Sequence, residues 1–577
     1  VKLRSQEVSR HRKTPRSPRR RCAPLTAGAL LACCISGQAW AQQAPDQTTL
    51  QPGTLPPIPQ APAAPPGLPV FGGETGPARE PSDVEQPTRL PPFFVQTSIT
   101  SELTWSSNGN FATTGGSTGS ATLSIIPSVI VHDEGGQYRL DGNFTLDAVA
   151  SSGSTASGVQ PDRILPRGNL DFNADLIQNW LYFDTGLRSA RTTGDPFAIT
   201  TIGPVSAYNE YTTTQYRIAP YILHELGSEL TLSARSENSW SSTDEPAGFA
   251  PSSGYYGLQS AKLEHRPDSL GWGIEVLDSV SRFQDQTTDA LKDDAARLSV
   301  NYSLEPFLVG LIAGYERASL SGVSVTHAIG GIRAEWRPTS RTDVTATVED
   351  RYFGTGWNVK LGHRNEDFAL SASLQRDVTT YPAVLNAQTG VGFVTTLMNS
   401  LLSSEFTNGT QRVAEVQSLL QSTGAPADLA GASLVASAQA IALNTASVNA
   451  VLLGKFNTLS FTVYRIRTVP FDLPGEVEVF TVPASYIDNV TSGITINLVH
   501  HLDKNWDVNT TLVQANTTGL GAASGTSSKQ TSLLVQLADR LSPRTTAFVG
   551  VRYQVLDSTL VTNTNESAVF AGITHRF

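Results

Sequence analysis

From Phe93 to the C-terminus, apolar side chains recur at every second position. Between Tyr138 and Ala148, the residues Tyr138, Leu140, Phe144 and Leu146 alternate with Arg139, Asp141, Asn143, Thr145 and Asp147. Phe368, Leu370, Ala372 and Leu374 repeat the pattern, as do Leu459, Phe461 and Val463, and then Ala547, Val549, Val551 and Tyr553. A period of two marks strands, because successive side chains leave opposite faces. A soluble sandwich alternates as well. Persistence of the alternation through almost the whole chain favours one large sheet, apolar on one face and polar on the other.

The connections are of two kinds. Short turns occur at Asp133-Glu134-Gly135-Gly136, Glu225-Leu226-Gly227-Ser228, Arg337–Arg341, His363–Asp367, Leu502-Asp503-Lys504-Asn505 and Arg540–Arg544. Longer polar stretches lie between those hairpins, at 106–119, 151–162, 191–214, 238–257, 283–293, 469–476 and 517–527. Short turns at one end and long loops at the other are the asymmetry of a transmembrane β-barrel. Backbone groups in lipid must all be paired, so such a sheet has to close. The prediction is an all-β, closed antiparallel transmembrane barrel over 93–577, of about 22 strands within a range of roughly 18 to 24. Its short turns are expected in the periplasm and its long loops outside the cell. Ser447–Leu453 and Thr458–Thr468 are candidates to pair through Gly454–Asn457. Residues 379–446 interrupt the alternation: Val413–Gln421 and Leu434–Leu443, rich in Ala, Ser and Leu, read as helical. This insertion is expected either to enter the pore as a constriction or plug or to form an outer cap or mobile loop.

The termini fit that reading. The last strand places Val569, Ala571, Ile573, His575 and Phe577 on one face, like the closing strand of bacterial outer-membrane barrels, although His575 stands where an apolar residue is usual. Phe577 is the candidate assembly signal, recognised by the barrel assembly machinery. At the other terminus, residues 1–21 carry nine Lys or Arg, and an apolar run from Ala23 to Ile35 leads to Ala39-Trp40-Ala41. That is the form of a secretory signal peptide over 1–41. Leu30-Leu31-Ala32-Cys33 also loosely matches a lipoprotein-processing box, with a poorly fitting leucine. Residues 42–92 hold fourteen prolines and few aromatics, and are expected to form an extended, disordered periplasmic linker.

Composition removes several functional classes. Cys22, Cys33 and Cys34 all fall within the leader, so disulfides, thiol catalysis and Cys-ligated zinc are not expected. Past the leader, 32 basic residues face 50 acidic ones, a balance unsuited to nucleic acid. No apolar run reaches the length of a transmembrane helix. Seven histidines (His132, His224, His265, His363, His500, His501 and His575) map to the short-turn end, and His327 to the other. General-base catalysis needs a partner within reach, and His327 shows none in the sequence, so no catalytic residue, metal or cofactor is assigned. Adjacent His500 and His501 point to opposite faces. Trp105, Trp180, Trp272, Trp336, Trp357 and Trp506 fall near strand ends, as in an interfacial girdle; stacking platforms for sugar rings are the alternative. Arg465 and Arg467 carry the lipid-facing parity outward, which fits either binding to lipopolysaccharide phosphates or a simple register bulge.

What remains is the lumen. With the apolar parity outward, Arg139, Asp141, Arg235, Arg297, Arg333, Glu335, Glu349, Arg351, Lys360 and Asp377 point inward as pore-lining candidates. Both signs occur, with no single-sign ring, so the interior holds either water or ion pairs. Side chains alone cannot fill so wide a barrel.

Glu335-Trp336-Arg337-Pro338-Thr339-Ser340-Arg341-Thr342, followed by Arg351-Tyr352-Phe353-Gly354 and Leu361-Gly362-His363-Arg364, resembles a run found in PEP-CTERM-system-associated outer-membrane proteins. The resemblance implies a barrel associated with exopolysaccharide export or surface assembly, and no catalytic residues. The motif also has a purely structural reading, as two turns at opposite ends of a hairpin. The expected function is a porin-like outer-membrane channel linked to exopolysaccharide or envelope export, with membrane lipids, lipopolysaccharide and polysaccharide-export components as partners. A non-conducting docking barrel is the alternative, and an outer-membrane hydrolase a weaker one.

Overall fold

The computed structural model describes residues 93–109, 119–152, 163–193, 195–198, 210–244, 253–265, 269–283, 291–386, 439–474, 488–559 and 563–577. The expected leader, the Pro-rich linker and Val413–Gln421 lie outside the described residues. Twenty-two strands follow one another as an antiparallel meander. They are β1 (Phe93–Ser106), β2 (Ser120–Glu134), β3 (Tyr138–Ser151), β4 (Arg163–Ile177), β5 (Leu181–Thr193), β6 (Glu210–Leu226), β7 (Leu230–Thr243) and β8 (Ser253–His265). Next come β9 (Leu270–Phe283), β10 (Leu291–Leu304), β11 (Phe307–Leu320), β12 (Val323–Thr339), β13 (Thr342–Arg351), β14 (Gly354–Arg364) and β15 (Phe368–Thr379). The ring is completed by β16 (Ile441–Leu453), β17 (Asn457–Pro470), β18 (Asn489–His501), β19 (Trp506–Gly519), β20 (Ser527–Ser542), β21 (Thr545–Ser558) and β22 (Thr564–Arg576).

The sheet closes where β22 pairs with β1, from Ser98 opposite Arg576 to Ser106 opposite Ala568. The C-terminal residue takes part, with Phe577 N–H donating to the Thr97 carbonyl at 3.0 Å. Closure leaves no unpaired edge, the condition for a sheet in lipid. The outward parity is apolar as expected: Leu298, Val300, Leu311, Ile332, Leu374, Val549, Val551 and Phe577 are all exposed. Trp105, Trp272, Trp336, Trp357 and Trp506 lie outward on strands and Trp180 in a short turn; Trp240, not singled out in the sequence, joins them. The girdle reading therefore holds over the sugar-stacking one.

Several boundaries differ from the sequence reading. β5, β6, β7 and β8 run well into the polar stretches 191–214 and 238–257. Apart from aromatics such as Trp240 and Tyr255, Ser, Thr and Asn dominate both faces there, so the apolar pattern fades while the hydrogen-bond ladder continues; Thr213 opposite Thr243 is one such pair. The supposed helical run Leu434–Leu443 ends inside β16, where Ile441, Ala442 and Leu443 pair with β15. Two long-loop-end connections are also tight. Ser321 and Gly322 join β11 to β12 with φ of 49° and 89°, the doubly left-handed turn that suits a twisted hairpin. Tyr352 and Phe353 join β13 to β14, and Gly354 follows with φ 101°. Those two strands are the short ones of the ring. Past β15 the chain forms one helical turn and a half, α1 (Tyr381–Asn386), which periodicity did not predict.

Candidate functional site

All ten lumen candidates have inward parity, but their partners lie along the wall rather than across the lumen. Arg351 is the centre of the largest group. It is 2% exposed, bonds Glu316 through Nε, and reaches Asp293 Oδ2 at 2.8 Å and Glu349 at 3.8 Å. Arg297 forks onto both Glu349 oxygens at 3.1 and 3.2 Å, the bidentate geometry that makes such pairs strong. These contacts link β10, β11 and β13, so the inner surface curves tightly there. Gly331 on β12 permits the approach: a Cβ there would sit 2.9 Å from the Glu349 side chain and 2.6 Å from the Val348 carbonyl.

The turn after Arg351 covers this network. Its guanidinium lies 5.9 Å from the Tyr352 ring centre and 5.5 Å from that of Phe353. Tyr352, Phe353 and Phe471 pack edge to face at 4.7 to 6.2 Å. They lie against buried Leu291, Leu320, Val378, Ala440 and Leu473. The Tyr352 N–H donates to Glu316, and burial, reinforced by the Asp293 charge, pushes the Tyr352 phenol well above its ordinary range. The Arg-Tyr-Phe-Gly run of the sequence motif is thus a packed cap over a buried ion cluster, and more than a turn. Asp377, also buried, adds its charge to Arg351.

A second group lies further round the wall, on β5 and β7. Arg235 donates to Asp184 at 3.0 Å and to Glu237 at 2.7 Å, with its guanidinium 5.2 Å from the Tyr221 ring centre. Here α1 arrives. Thr380 bonds Ser281 of β9 at 2.6 Å, the Tyr381 hydroxyl meets Thr213 of β6 at 3.1 Å, and Asn386 donates to Glu237 of β7. The chain leaves β15 and docks on β6, β7 and β9, between about a quarter and two fifths of the way round the ring. The start of the 379–446 insertion therefore enters the lumen, which favours the constriction reading over an outer cap.

Further ion pairs complete this charged wall: Arg139 with Asp141, Arg167 with Asp147 at 2.7 Å, Lys262 with Glu264 at 3.1 Å, Arg333 with Glu335 at 2.6 Å, and Arg552 with Glu566 at 2.7 Å. An apolar strip interrupts it. Leu277, Ala295, Ile312 and Ile329 face inward and are buried together with Leu258 alongside, which corrects the expectation of a uniformly polar interior.

The remaining wall is different. The inward positions of β16, β17 and β18 include Thr445, Ser447, Asn449, Thr458, Ser460, Thr462, Asn489, Thr491, Thr495 and Asn497, and no Asp, Glu, Lys or Arg. Neighbouring strands extend the belt: Ser373 meets Ser447 at 2.8 Å, Thr462 donates to Asn449 at 2.9 Å, and Asn497 bonds Asn509 and Thr511 at 2.7 and 2.8 Å. Lys360 of β14 stands at the edge of this belt, between Thr345 and Ser373 in register.

Asp293, Glu316, Asp184, Glu237, Arg552 and Glu566 belong to these networks, yet none was singled out in the sequence. Each has the inward parity of its strand, so the same rule applied throughout would have found them. His327, thought partnerless, has Asp350 at 3.4 Å. His500 bonds Asn457 outward and His501 bonds Asp507 inward, on opposite faces as parity required.

No protein-family model and no curated protein sequence matches the chain. Among solved structures, the FrpB iron transporter from Neisseria meningitidis is similar at 9% identity, over 84% of this chain and 82% of its own, with a TM-score of 0.43. The outer membrane protein OpdK from Pseudomonas aeruginosa is similar at 7% identity, over 84% and 99%, with a TM-score of 0.32. The siderophore receptor PirA from the same organism gives 11%, 84%, 80% and 0.32. At these identities the likeness is one of fold.

Proposed function

We propose that the protein is an outer-membrane channel, constricted towards its long-loop end, for uncharged hydroxylated solutes. One observation carries the reading. The charged wall spends its charges on itself, whereas the wall of β16–β18, beyond an apolar group of Leu443, Tyr464 and Ile466 near its long-loop end, offers hydroxyls and amides with no fixed charge. A solute moving along that belt exchanges water hydrogen bonds for side-chain ones without meeting an unpaired ion. Carbohydrate is the solute class that fits. This supports the link to exopolysaccharide or envelope export that the Glu335–Arg364 motif implies, with export components as partners. In this reading the short turns and both termini face the periplasm, the long loops face outward, and Phe577 is what the assembly machinery recognises. Liposome swelling tests it: neutral sugars should enter faster than sugar acids of equal size, and the opposite order overturns it.

A non-conducting docking barrel is the second reading, favoured by α1 crossing the lumen. Deleting 381–438 separates the two. A refolded barrel that stays closed to ions after the deletion favours docking.

A further inference from the structure

One cluster on the outward surface has no part in the channel. Trp357, Arg376, Asn444 and Arg467 form a row across β14–β17, each opposite the next in register. Arg465 lies on the same face of β17, one outward position from Arg467. The row sits towards the long-loop end, level with the upper aromatic girdle. Arg376 is 8% exposed. Among the described residues its Nε and Nη1 are buried without a hydrogen-bond partner, and its guanidinium lies 5.9 Å from the Trp357 ring centre. Arg467 adds a like charge that acts on Arg376, and Asp488, just before β18, is the carboxylate that acts on Arg467. Lys292, on the outer face of β10, is by contrast balanced, between Asp278 at 3.5 Å and Asp294 at 3.4 Å.

A buried guanidinium with two unsatisfied N–H groups is costly on a lipid-facing surface. Its planar fork matches phosphate oxygens. We propose that this row binds a phosphate on the headgroup of an outer-leaflet glycolipid, with Arg376 and Arg467 holding the phosphate and Trp357 packing beside the sugar. The site rests on the orientation proposed above, in which this end lies in the outer leaflet. Proteolysis of the long loops on intact cells tests that orientation separately.

The experiment uses the full-length barrel in detergent and three probes: bis-phosphorylated lipid A, dephosphorylated lipid A and inorganic phosphate. Bound lipid is counted by native mass spectrometry. The wild type should bind the phosphorylated lipid at least about tenfold more tightly than the Arg376→Gln/Arg467→Gln double variant, a loss of roughly 1.4 kcal/mol. Asn444→Asp places a carboxylate within the row without removing either arginine, and should weaken binding similarly if the double variant fails to fold. Equal binding by Asn444→Asp and wild type, or equal binding of the dephosphorylated lipid, overturns the site. Inorganic phosphate competing at the lipid's own affinity assigns the cluster to free phosphate and overturns the lipid.

Discussion

Two neighbouring arcs of the lumen wall obey one rule of parity and reach opposite chemistry. On β10–β13 the inward positions hold Asp293, Arg297, Glu316, Glu349 and Arg351, drawn into contact and sealed by Tyr352 and Phe353. On β16–β18 the same positions hold mainly Thr, Ser and Asn, joined by hydrogen bonds, with Leu443, Tyr464 and Ile466 grouped towards the long-loop end. The lesson concerns what a polar interior means. Clustered ions become structure, because removing any one strands the others in a dry site. Dispersed hydroxyls and amides stay available, because each lost bond is replaced cheaply by water or solute. Inward charge is therefore a poor guide to where a solute passes.

The largest expected effect comes from breaking the ion cluster. Arg351→Met leaves Glu316, Asp293 and Glu349 facing one another, and should cost about 3–5 kcal/mol. Urea unfolding in detergent, followed by heat-modifiable gel mobility, reads that loss; a change under about 1 kcal/mol would mean the cluster is solvated. Gly331→Val crowds Glu349 and should cost roughly 1–3 kcal/mol, on the same assay. Releasing α1 by Tyr381→Phe with Asn386→Ala should leave stability nearly unchanged and raise single-channel conductance about twofold, since a constriction limits ion flow. Lys360→Gln should leave conductance intact and shift reversal potential towards cations, a change of roughly twofold in permeability ratio. No shift would place Lys360 away from the conducting path. The smallest effect belongs to Arg337→Gln, an exposed partner of Glu335, at less than about 1 kcal/mol.

Much of this is legible in the sequence. Period two over Tyr138–Ala148 or Phe368–Gln375 fixes which side chains face lipid, and the alternation of short and long connections fixes an antiparallel meander. The same parity correctly pointed Arg139, Arg235, Arg297, Arg351 and Lys360 inward. The partners were not legible. Arg297 on β10 meets Glu349 on β13, and that contact depends on how sharply the wall bends, which no single strand encodes. The docking of Asn386 on Glu237 was equally hidden, since six residues of helix carry too little periodicity to announce themselves.

The amino-acid order alone determined the closed, outwardly apolar ring of strands, because a local two-residue repeat and the need to pair every backbone group in lipid leave few other solutions. Only the tertiary structure decided which inward charges neutralise one another and which wall stays free. That choice rests on distances between strands far apart in the chain, set by curvature and register rather than by neighbouring residues.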